Sequence, residues 1–515
     1  MVACPHALAS AAGVDALRSG GSAVDAAVAA ASSLAVLYPH MCSIGGDAFW
    51  LIYDARAKKV SYLDGGGRAA AAATLDRFAG QGEIPFRGLA PATLTTPGAV
   101  ASFCEAHARH GRLPFARCLR DAIHYAAEGF PVTARLSRWI EQTAPELDAA
   151  SAAIFLPGGK APRPGEVLKN PQLAMTLRAI AAQGRAGFYE GEVARHLAQL
   201  GGFFTERDLA AQGAYWGEPI RGGYRGVTLY ETPAPTQGFT VLEMLNLLEP
   251  LDLGPFLGPD HVHLLVQAKQ IAYHDRDRWL ADPRFAEVPM ERLISREHAA
   301  QRRALIDAKR ALPWDKVPSY GSLTGDTVYV AAVDASGNAA SLIFSLYGVF
   351  GSCVASAETG VVLQNRGAYF SLDPKHPNRL EPGKVPLHTL IASLAFRNGK
   401  LWAVLGCMGA DGQPQIHLQT YVAMIDFGQD IQQALAGPRW LSGRFGLGEA
   451  RDTLHIEARF PRATIDELER RGHPVDRWGD WNELAGHAHG ITLDPQTGLL
   501  AGGFDPRSDG TASGY

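Results

Sequence analysis

Residues 327–346 read TVYVAAVDASGNAASLIFSL. Thr327–Val333 is a nearly continuous apolar run rich in β-branched residues, which predicts a buried strand. Asp334–Asn338 has the composition of a tight turn, with Gly337 where a left-handed backbone is needed. Ala340–Leu346 is a second apolar run. Together the two runs and the turn predict a β-hairpin, around which the rest of the fold is built.

The sequence on both sides of the hairpin predicts more strands and several long helices. Further strands are predicted at residues 47–53, 60–63, 222–229, 360–364, 390–396 and 401–405. Helices are predicted at Ala7–Arg18, Ala23–Leu37, Val262–Arg278 and Gln415–Ile425. Consecutive strands beside long helices indicate an α+β protein in which helices cover an antiparallel sheet core.

Length and composition exclude several classes of protein. The 515 residues are 47% hydrophobic, which excludes wholesale disorder, and length alone suggests about three domains. Lys and Arg number 48 against 52 Asp and Glu, so the net charge is −4 and no nucleic-acid partner is expected. The longest uncharged apolar stretch, residues 26–38, is shorter than the roughly 20 residues of a spanning helix, so no membrane partner is expected.

The N-terminal stretch and the cysteines predict a cytoplasmic location. The chain does not begin with a basic region followed by an apolar one, so no secretory signal is predicted. The cysteines lie far apart and form no C-x-x-C pair, which is too sparse for a disulfide scaffold. We therefore expect free, mostly buried thiols in a reducing compartment at Cys4, Cys42, Cys104, Cys118, Cys353 and Cys407.

The motifs that suggest metal or nucleotide binding are weak. The pairs His261/His263 and His487/His489 have no obvious third ligand, and the first pair falls on a predicted helix, where such residues diverge. Gly65–Gly67 follows a strand, but the sequence has neither a P-loop nor a dinucleotide-binding spacing. A G-x-S-x-G nucleophile elbow is missing too. We therefore predict no metal and no cofactor.

A nucleophile of another kind can arise where the hairpin begins. The polar approach PSYGSLTGD (Pro318–Asp326) is expected to be exposed and leads directly into the buried strand at Thr327. A Thr in that position is usually only a β-branched strand residue. If the chain is cut between Asp326 and Thr327, however, the new α-amine can act as the base for the threonine hydroxyl. The pKa of such an amine, about 7.7–8.0, leaves a useful neutral fraction near pH 7.

At this point the sequence resembles the gamma-glutamyltranspeptidase family of N-terminal-nucleophile hydrolases. The resemblance extends over more than 400 residues and includes the hairpin block TVYVAAVDASGNAASLIFSLYGVFGS (Thr327–Ser352). Other matching blocks are GGSAVDAAVAAASSLAVLYPHMCSIGGDAF (Gly20–Phe49), TPGAV (Thr96–Val100), YRGVTLYETPAPTQG (Tyr224–Gly238) and DPRSDGTASGY (Asp505–Tyr515). The chain is most similar to the divergent branch that includes oxamate amidohydrolase and the cephalosporin (glutaryl) acylases.

The resemblance implies a four-layer αββα sandwich that is made as a proenzyme. The chain would cut itself before Thr327 to give a large segment, residues 1–326, and a small segment, residues 327–515, which stay together as one intertwined domain. A homodimer of the processed unit is left open. Ser345 takes the place of the family's second hydroxyl, which hydrogen-bonds the nucleophile. Gly409 and Ala410 lie where the family places its oxyanion-hole glycines, and their backbone N–H groups would do that work.

The departures from the family pattern cluster in the substrate pocket. Leu75 stands where the family has the Arg that holds the α-carboxylate, and Tyr369 stands where it has the Asp that holds the α-amine. His388 and Thr389 replace a pair of serines, and Tyr347 replaces an Asn. A zwitterionic glutamyl group would therefore lose both charged partners, at a cost of several kcal/mol. Other cations are at hand in Arg68 and Arg366, and either can offer a carboxylate its bidentate guanidinium.

These features predict a self-processing N-terminal-threonine amidohydrolase that acts on a small carboxylated amide, either oxamate-like or glutaryl-like. The predicted substrate-binding residues are Arg68, Tyr347, Arg366, Tyr369, His388 and Thr389. One alternative is a true γ-glutamyl hydrolase or transpeptidase, acting on glutathione or γ-glutamyl amides with relocated anchors. A second alternative is an uncleaved relative that serves as a binding protein.

Overall fold

The structure is a computed structural model of the uncut chain, and it describes residues 1–313, 326–444 and 452–515. The strands are β1 Val2–Cys4, β2 Asp47–Asp54, β3 Lys59–Gly65, β4 Phe130–Pro131, β5 Val167–Leu168, β6 Tyr215–Gly217, β7 Ile220–Tyr224, β8 Val227–Glu231, β9 Asp326–Val333, β10 Ala339–Tyr347, β11 Ala392–Arg397, β12 Lys400–Cys407, β13 Trp440–Ser442, β14 Leu454–Glu457, β15 Val475–Trp478, β16 Ala488–Leu493, β17 Leu500–Phe504 and β18 Thr511–Ser513.

The helices lie mainly in the first two thirds of the chain. They are α1 Ala7–Arg18, α2 Ala23–Leu37, α3 Leu89–Leu94, α4 Ala99–His110, α5 Phe115–Cys118, α6 Arg120–Glu128, α7 Ala134–Thr143, α8 Ala149–Phe155, α9 Pro171–Gln183, α10 Ala186–Tyr189, α11 Gly191–Ala198, α12 Glu206–Ala211, α13 Phe239–Leu248, α14 Pro259–Trp279, α15 Met290–Leu293, α16 Arg296–Arg303, α17 Gln413–Ile425, α18 Ile431–Ala436 and α19 Arg462–Arg470. Within the described ranges, none of these helices has the length and apolar character needed to cross a membrane.

Two antiparallel sheets form the centre of the molecule. The larger sheet has the order β18-β1-β9-β10-β2-β3-β6, and the smaller has the order β17-β16-β12-β11-β8-β7. Both sheets take strands from residues 1–313 and from residues 326–515. The two segments predicted on either side of residue 326 are therefore interleaved in each sheet.

Three apolar layers show how the sheets and helices stack. Phe49, Tyr329, Ile343 and Val404 belong to the layer in which the two sheets face each other. The outer face of the larger sheet is covered by helices that include α2 and α4, and that of the smaller sheet by helices that include α13 and α17. The result is a helix–sheet–sheet–helix stack, which confirms the predicted α+β class and the four-layer αββα sandwich.

The hairpin that was expected to organise the fold lies inside the larger sheet. β9 pairs with β10, and β10 pairs on its other edge with β2. The β9–β10 register shifts by one residue between Phe344 and Tyr347, so β10 carries a bulge at Ser345 beside the start of β9. Bulges bend a strand and re-aim its side chains. This bulge turns Ser345 toward the junction of Asp326 and Thr327.

Two strand predictions are wrong. Residues 222–229 form not one strand but the hairpin β7–β8, because the chain reverses at Arg225 and Gly226, where both backbones are left-handed with φ of 45° and 83°. Residues 360–364 make only isolated bridges, one of them between Leu363 and Gly45, since the segment packs as an irregular buried loop. Of the approach predicted to be exposed, residues 318–326, only Asp326 lies within the described residues, and there the prediction is wrong because Asp326 is buried as the first residue of β9.

Candidate active site

Three neighbouring groups meet where β9 begins. Ser345 Oγ donates a hydrogen bond to the carbonyl oxygen of Asp326 at 2.5 Å. Ser345 Oγ in turn accepts hydrogen bonds from the Thr327 hydroxyl at 3.2 Å and from the Tyr347 backbone N–H at 2.7 Å. Asp326, Thr327 and Ser345 are all buried. Ser345 therefore links the Thr327 hydroxyl to the carbonyl that immediately precedes it in the chain.

Close backbone packing holds this arrangement in place. Gly46 lies just before β2, and a Cβ atom on it would come within 2.1 Å of the Ser345 carbonyl oxygen. Tyr347 ends the bulge in a left-handed conformation with φ of 80°, which is strained for a residue with a side chain. The surrounding contacts must therefore determine the conformation of β10 at this point.

A cavity of about 340 Å³ opens beside Asp326. It is lined by Met41, Phe86, Arg87, Trp139, Glu146, Asp326, Gly348, Val349, Met408, Glu483 and Leu484. Asp326 Oδ2 has no hydrogen-bond partner among the described residues, and burial raises the pKa of the Asp326 carboxyl well above its usual range. Burial thus disfavours the charged form of this carboxyl, which lies among apolar side chains that include Met41, Phe86 and Trp139.

The turn after β12 carries the two predicted oxyanion residues. Gly409 and Ala410 have φ of 148° and 46°, so Ala410 adopts a left-handed backbone without being a glycine. Gln237 Nε2 donates to the Ala410 carbonyl oxygen at 3.0 Å and to the Thr389 carbonyl oxygen at 2.9 Å. Met408, which precedes this turn, lines the cavity that also contains Asp326. The residue directly before the turn therefore lies at the same cavity as Asp326.

Arg366 is a fully buried cation with unused hydrogen-bonding capacity. Its Nη1 donates to Thr389 Oγ1 at 3.0 Å, and its guanidinium carbon lies 4.4 Å from the centre of the Tyr347 ring. Its Nε and Nη2 are buried and make no hydrogen bond with any residue in the described ranges. Burial lowers the pKa of Arg366 from its ordinary value. A carboxylate would supply the charge and the acceptors that this guanidinium lacks.

A second polar cluster lies beside Arg366 and Tyr347. The Tyr369 ring packs 5.2 Å from the Tyr347 ring, and its hydroxyl donates to the Asp411 carboxylate at 2.7 Å. Asp411 also pairs with Arg276, whose Nη1 lies 2.5 Å from Asp411 Oδ1. Tyr369 is thus held by a carboxylate that also pairs with Arg276.

His388 contacts a buried carboxyl that the sequence analysis did not identify. His388 Nε2 lies 3.0 Å from Asp47 Oδ2, and both side chains are fully buried. Asp47 Oδ1 accepts from the N–H groups of Gly67 and Gly98. Burial raises the pKa of Asp47 to about 7 and lowers the pKa of His388 well below its usual value. A protonated Asp47 can donate to His388 Nε2, whereas His388 Nδ1 is buried with no hydrogen-bond partner among the described residues.

Arg68 lies in a different cleft. Its guanidinium carbon is 4.2 Å from the centre of the Tyr215 ring, and its cleft of about 310 Å³ includes Gln212 and Gly383. Thr327 and Ser345 do not line this cleft. The structure therefore brings together Thr327, Ser345, Tyr347, Arg366, Tyr369, His388, Thr389, Gly409 and Ala410, directly or through shared neighbours, and leaves Arg68 apart.

The histidine pairs have protein partners or lie deep in the core. His261 and His263 fall on α14, as predicted, and His263 Nδ1 lies 2.8 Å from His473 Nε2. His487 and His489 are buried, and burial lowers the pKa of both. Elsewhere, two groups bring potential ligand atoms within 4.8 Å of one another, namely Asp25–His107–Cys118 and Glu243–Asp275–His298.

In both groups the central carboxylate already has protein partners. Asp25 Oδ2 accepts from the backbone N–H groups of Ser22, Arg112 and Leu113. Asp275 pairs with Arg302 at 3.1 Å.

Comparison with known proteins identifies the family. The family model for gamma-glutamyltranspeptidase matches residues 9–515. The chain belongs to the gamma-glutamyltranspeptidase family.

Its relatives include members with different names. A "glutathione hydrolase-like YwrD proenzyme" of Bacillus subtilis is 42% identical, with 100% of this chain and 98% of the relative covered. An "oxamate amidohydrolase proenzyme" of Klebsiella pneumoniae is 41% identical over the same shares of both chains. Among solved structures, a cephalosporin acylase from Bacillus halodurans is 37% identical with a TM-score of 0.92, and the match covers 100% of this chain and 95% of the acylase.

These comparisons confirm the predicted branch of the family. The chain is an enzyme, an N-terminal-nucleophile amidohydrolase or acylase that is made as a proenzyme. The cut halves of such a proenzyme associate as subunits, which agrees with the interleaved strands of both sheets.

Sequence reasoning missed four buried polar residues around the site: Asp47, Gln237, Arg276 and Asp411. Only Asp411 carries a local signal, because it directly follows the Gly409–Ala410 turn. Asp47 follows Gly45–Gly46, which marks a tight passage but does not identify a partner. The contacts of Gln237 and Arg276 join residues far apart in the chain, and single-sequence patterns do not show such contacts.

Proposed function

We propose that the protein cuts itself between Asp326 and Thr327 and then uses Thr327 to hydrolyse a small amide that carries a carboxylate. The observation that carries the proposal is the position of Ser345 Oγ between the Thr327 hydroxyl and the Asp326 carbonyl oxygen. That geometry suits a reaction in which the Thr327 hydroxyl attacks the Asp326 carbonyl carbon and the carbonyl oxygen gains negative charge.

Self-cleavage begins when Thr327 Oγ1 attacks the carbonyl carbon of Asp326. The Ser345 hydroxyl donates to the carbonyl oxygen and stabilises the charge that develops on it. The C–N bond then breaks, the acyl group stays on Oγ1 as an ester, and the Thr327 nitrogen takes up the proton lost by the hydroxyl and becomes an amine. Water hydrolyses the ester, which frees a carboxylate on Asp326 and restores the Thr327 hydroxyl.

The turnover reaction repeats the attack on a substrate amide. The free α-amine of Thr327 takes the proton of the Thr327 hydroxyl and passes it to the leaving amine. The acyl group is held as an ester until water releases it. We assign the stabilisation of the oxyanion to the backbone N–H groups of Gly409 and Ala410, because Met408, directly before their turn, lines the cavity that contains Asp326.

Arg366 supports a carboxylated substrate. It is a buried cation with two unpartnered nitrogens beside Tyr347 and Thr389, whereas Arg68 stacks on Tyr215 in another cleft. We therefore assign the carboxylate anchor to Arg366. Tyr347, Tyr369, His388 and Thr389 form the walls of the proposed pocket. An oxamate-like or glutaryl-like amide matches this chemistry, and relatives named oxamate amidohydrolase and acylase support that class.

A γ-glutamyl substrate is the second candidate, because one relative is named as glutathione hydrolase-like. The pocket argues against it. Tyr369 replaces the acidic amine anchor, and its hydroxyl is already engaged by Asp411. A substrate ammonium would be buried there without a free carboxylate of its own, and buried unpaired charges are strongly disfavoured.

A denaturing gel and a hydrolysis panel test the proposal together. The purified protein should run as two fragments, and the smaller one should begin at Thr327. The cleaved enzyme should release ammonia or amine from oxamate or a glutaryl amide faster than from γ-glutamyl anilide or glutathione. An uncut chain would contradict the self-cleavage proposal. Turnover of the γ-glutamyl compounds alone would overturn the substrate assignment while leaving the nucleophile assignment intact.

We also propose a cytoplasmic location. It is supported by the free thiols of all six cysteines, five of which are buried. Thiols of this kind persist in a reducing compartment.

A further inference from the structure

We propose that Asp411 is a positioning residue that couples the substrate pocket to the oxyanion turn. The inference rests on the proposed function, since it takes Gly409 and Ala410 as the oxyanion donors and Tyr369 as a pocket wall. It goes further because it assigns to a single buried carboxylate the role of fixing the position of Tyr369 relative to the turn at Gly409 and Ala410. Asp411 is 3% exposed, so its charge is almost completely withdrawn from water.

On the pocket side, Asp411 holds Tyr369. The Tyr369 hydroxyl lies 2.7 Å from both carboxylate oxygens of Asp411. Tyr369 ends a short helical turn, Arg366–Tyr369, that also carries the proposed carboxylate anchor. Burial, and then the charge of Asp411, raises the pKa of the Tyr369 hydroxyl well above its ordinary value, so this group remains a donor at any pH of interest.

On the side of the turn, Asp411 is the residue that follows Ala410. The Tyr273 hydroxyl donates to the backbone carbonyl oxygen of Asp411, and Arg276 Nη1 pairs with its carboxylate. The same Arg276 nitrogen lies 2.8 Å from Gln237 Oε1, and Gln237 in turn donates to the carbonyl oxygen of Ala410. The two peptide groups on either side of the Asp411 Cα atom are thus held by Gln237 and Tyr273, and the first of them includes the Ala410 carbonyl. Arg276 joins Gln237 to the Asp411 carboxylate.

Such fixation is needed because the turn is strained. A left-handed backbone at a residue other than Gly costs on the order of 1–3 kcal/mol and persists only when its surroundings determine it. Ala410 has this backbone at φ of 46°. Oxyanion donors must also be aimed before the reaction starts, because their value lies in preorganisation. Loss of the Asp411 contacts would leave the turn free to relax.

Coupling follows from the shared carboxylate. A substrate whose carboxylate binds Arg366 would pack against the Tyr369 ring. The hydroxyl of that ring donates a hydrogen bond to Asp411. A poorly fitting acyl group would displace Tyr369 and disturb the turn with it. Asp411 therefore makes the alignment of the oxyanion donors depend on the fit of the acyl group. This dependence should act on kcat more than on KM, because the donors work in the transition state.

Self-cleavage gives a way to separate this inference from the proposed function. In the uncut chain the Asp326 carbonyl oxygen is already held by Ser345, whose hydroxyl bonds to Asp326, Thr327 and the Tyr347 backbone. Variants at Asp411 or Tyr369 should therefore still cut before Thr327. A Thr327→Ala variant that is cleaved and active would contradict the proposed function itself. If cleavage is normal but the Asp411 effects are missing, only the coupling fails.

The experiment is a double-mutant cycle on the cleaved enzyme with Asp411→Asn, Tyr369→Phe and both together. Each single change should lower kcat by roughly 10- to 100-fold, as expected for misplaced catalytic groups, and alter KM by much less. The double variant should be about as slow as the worse single variant, because both remove one connection. The matched control is Tyr224→Phe, which removes a buried hydroxyl that donates to Asp426 at 3.0 Å away from the site.

Three outcomes would overturn the inference. One is a set of multiplicative effects on kcat, which would show that Asp411 and Tyr369 act independently. Another is a change confined to KM, which would make Tyr369 a simple binding wall. The last is an equal loss of kcat in Tyr224→Phe, which would show that losing any buried tyrosine hydroxyl has the same effect. Folding of every variant is checked by thermal unfolding before kinetics are compared.

Discussion

The Ser345 hydroxyl lies 2.5 Å from the carbonyl oxygen of Asp326 and 3.2 Å from the hydroxyl of Thr327. This contact is made across the bulge in β10, which turns Ser345 toward the first peptide bond of β9. One residue thus touches both the bond proposed to break and the group proposed to attack it. Self-cleavage should depend on this hydroxyl.

Ser345→Ala should slow self-cleavage strongly. The Asp326 carbonyl oxygen would lose the donor that stabilises its developing charge, and loss of one such donor lowers rates by about 10²–10³-fold. The fraction of cut chain is followed over time on a denaturing gel. Ser345→Thr is the matched control, because it keeps a hydroxyl and suits a strand, and it should cleave. Equal cleavage rates for the Ala and Thr variants would contradict the role of the hydroxyl.

Arg366→Gln should raise KM for a carboxylated substrate. Loss of a charge-assisted hydrogen bond costs about 1.5–3 kcal/mol, or roughly a 10- to 150-fold lower kcat/KM. Steady-state kinetics of the cleaved enzyme measure this loss.

Arg68→Gln provides the comparison for Arg366→Gln, since Arg68 stacks on Tyr215 in a separate cleft. It should leave kcat/KM within a few fold of wild type. The reverse result, a large loss in Arg68→Gln and none in Arg366→Gln, would move the anchor to Arg68.

Asp47 should make the stability of the fold depend on pH. Burial raises its pKa from 3.8 to about 7, so the folded state holds a proton that the unfolded state releases. The contribution of Asp47 to stability is complete below about pH 4, falls as the pH rises toward 7, and is lost above that value. Urea unfolding of wild type across this range measures the decline.

Asp47→Asn isolates the effect of that one group. An Asn can accept from Gly67 and Gly98 and donate to His388, as the protonated Asp does, but it does not titrate. The stability of wild type relative to this variant should therefore fall between about pH 4 and 7. A constant difference over that range would show that Asp47 has an ordinary pKa in the folded protein.

Gly46→Ala should damage the site through the backbone. The added Cβ would lie 2.1 Å from the Ser345 carbonyl oxygen, so β10 must move where it presents Ser345. Overpacking of this kind costs about 1–3 kcal/mol, and self-cleavage should slow as well. Gly82→Ala is the control, because nothing lies within 4 Å of the Cβ position there. Unfolding and cleavage that match wild type in both variants would contradict the packing described at Gly46.

The elements predicted well are those whose signal is local. Helices α1 and α2 begin and end where expected, since Gly20–Gly21 separates them and Ser22 with Asp25 forms a capping box for α2. The β9–β10 hairpin follows from two apolar runs and one turn. By contrast, the sequence predicts one strand in place of β7 and β8, because their turn uses Arg225 in a left-handed conformation without the usual Asn-Gly or Asp-Gly signal.

The residues of the candidate site also fall into those that a local pattern predicts and those that only the structure identifies. Thr327 and Ser345 are adjacent through the hairpin register, so a local pattern together with the family resemblance is enough to pair them. The choice between Arg68 and Arg366 needed the structure, because both are single arginines in plausible blocks that stack on a tyrosine. They are separated by burial and by their neighbours, since Arg366 is fully buried beside Tyr347 and Thr389 and Arg68 lines another cleft. Asp47 was not found because its partner His388 lies 341 residues away in the sequence.

The intact mass of the purified protein tests the central claim most directly. Wild type should give two species, residues 1–326 and residues 327–515, and Edman sequencing of the smaller one should begin with Thr327. Thr327→Ala should remain a single uncut chain without amidase activity. A wild-type chain that stays intact, a cut at another bond, or a Thr327→Ala variant that cleaves and turns over substrate would contradict the account.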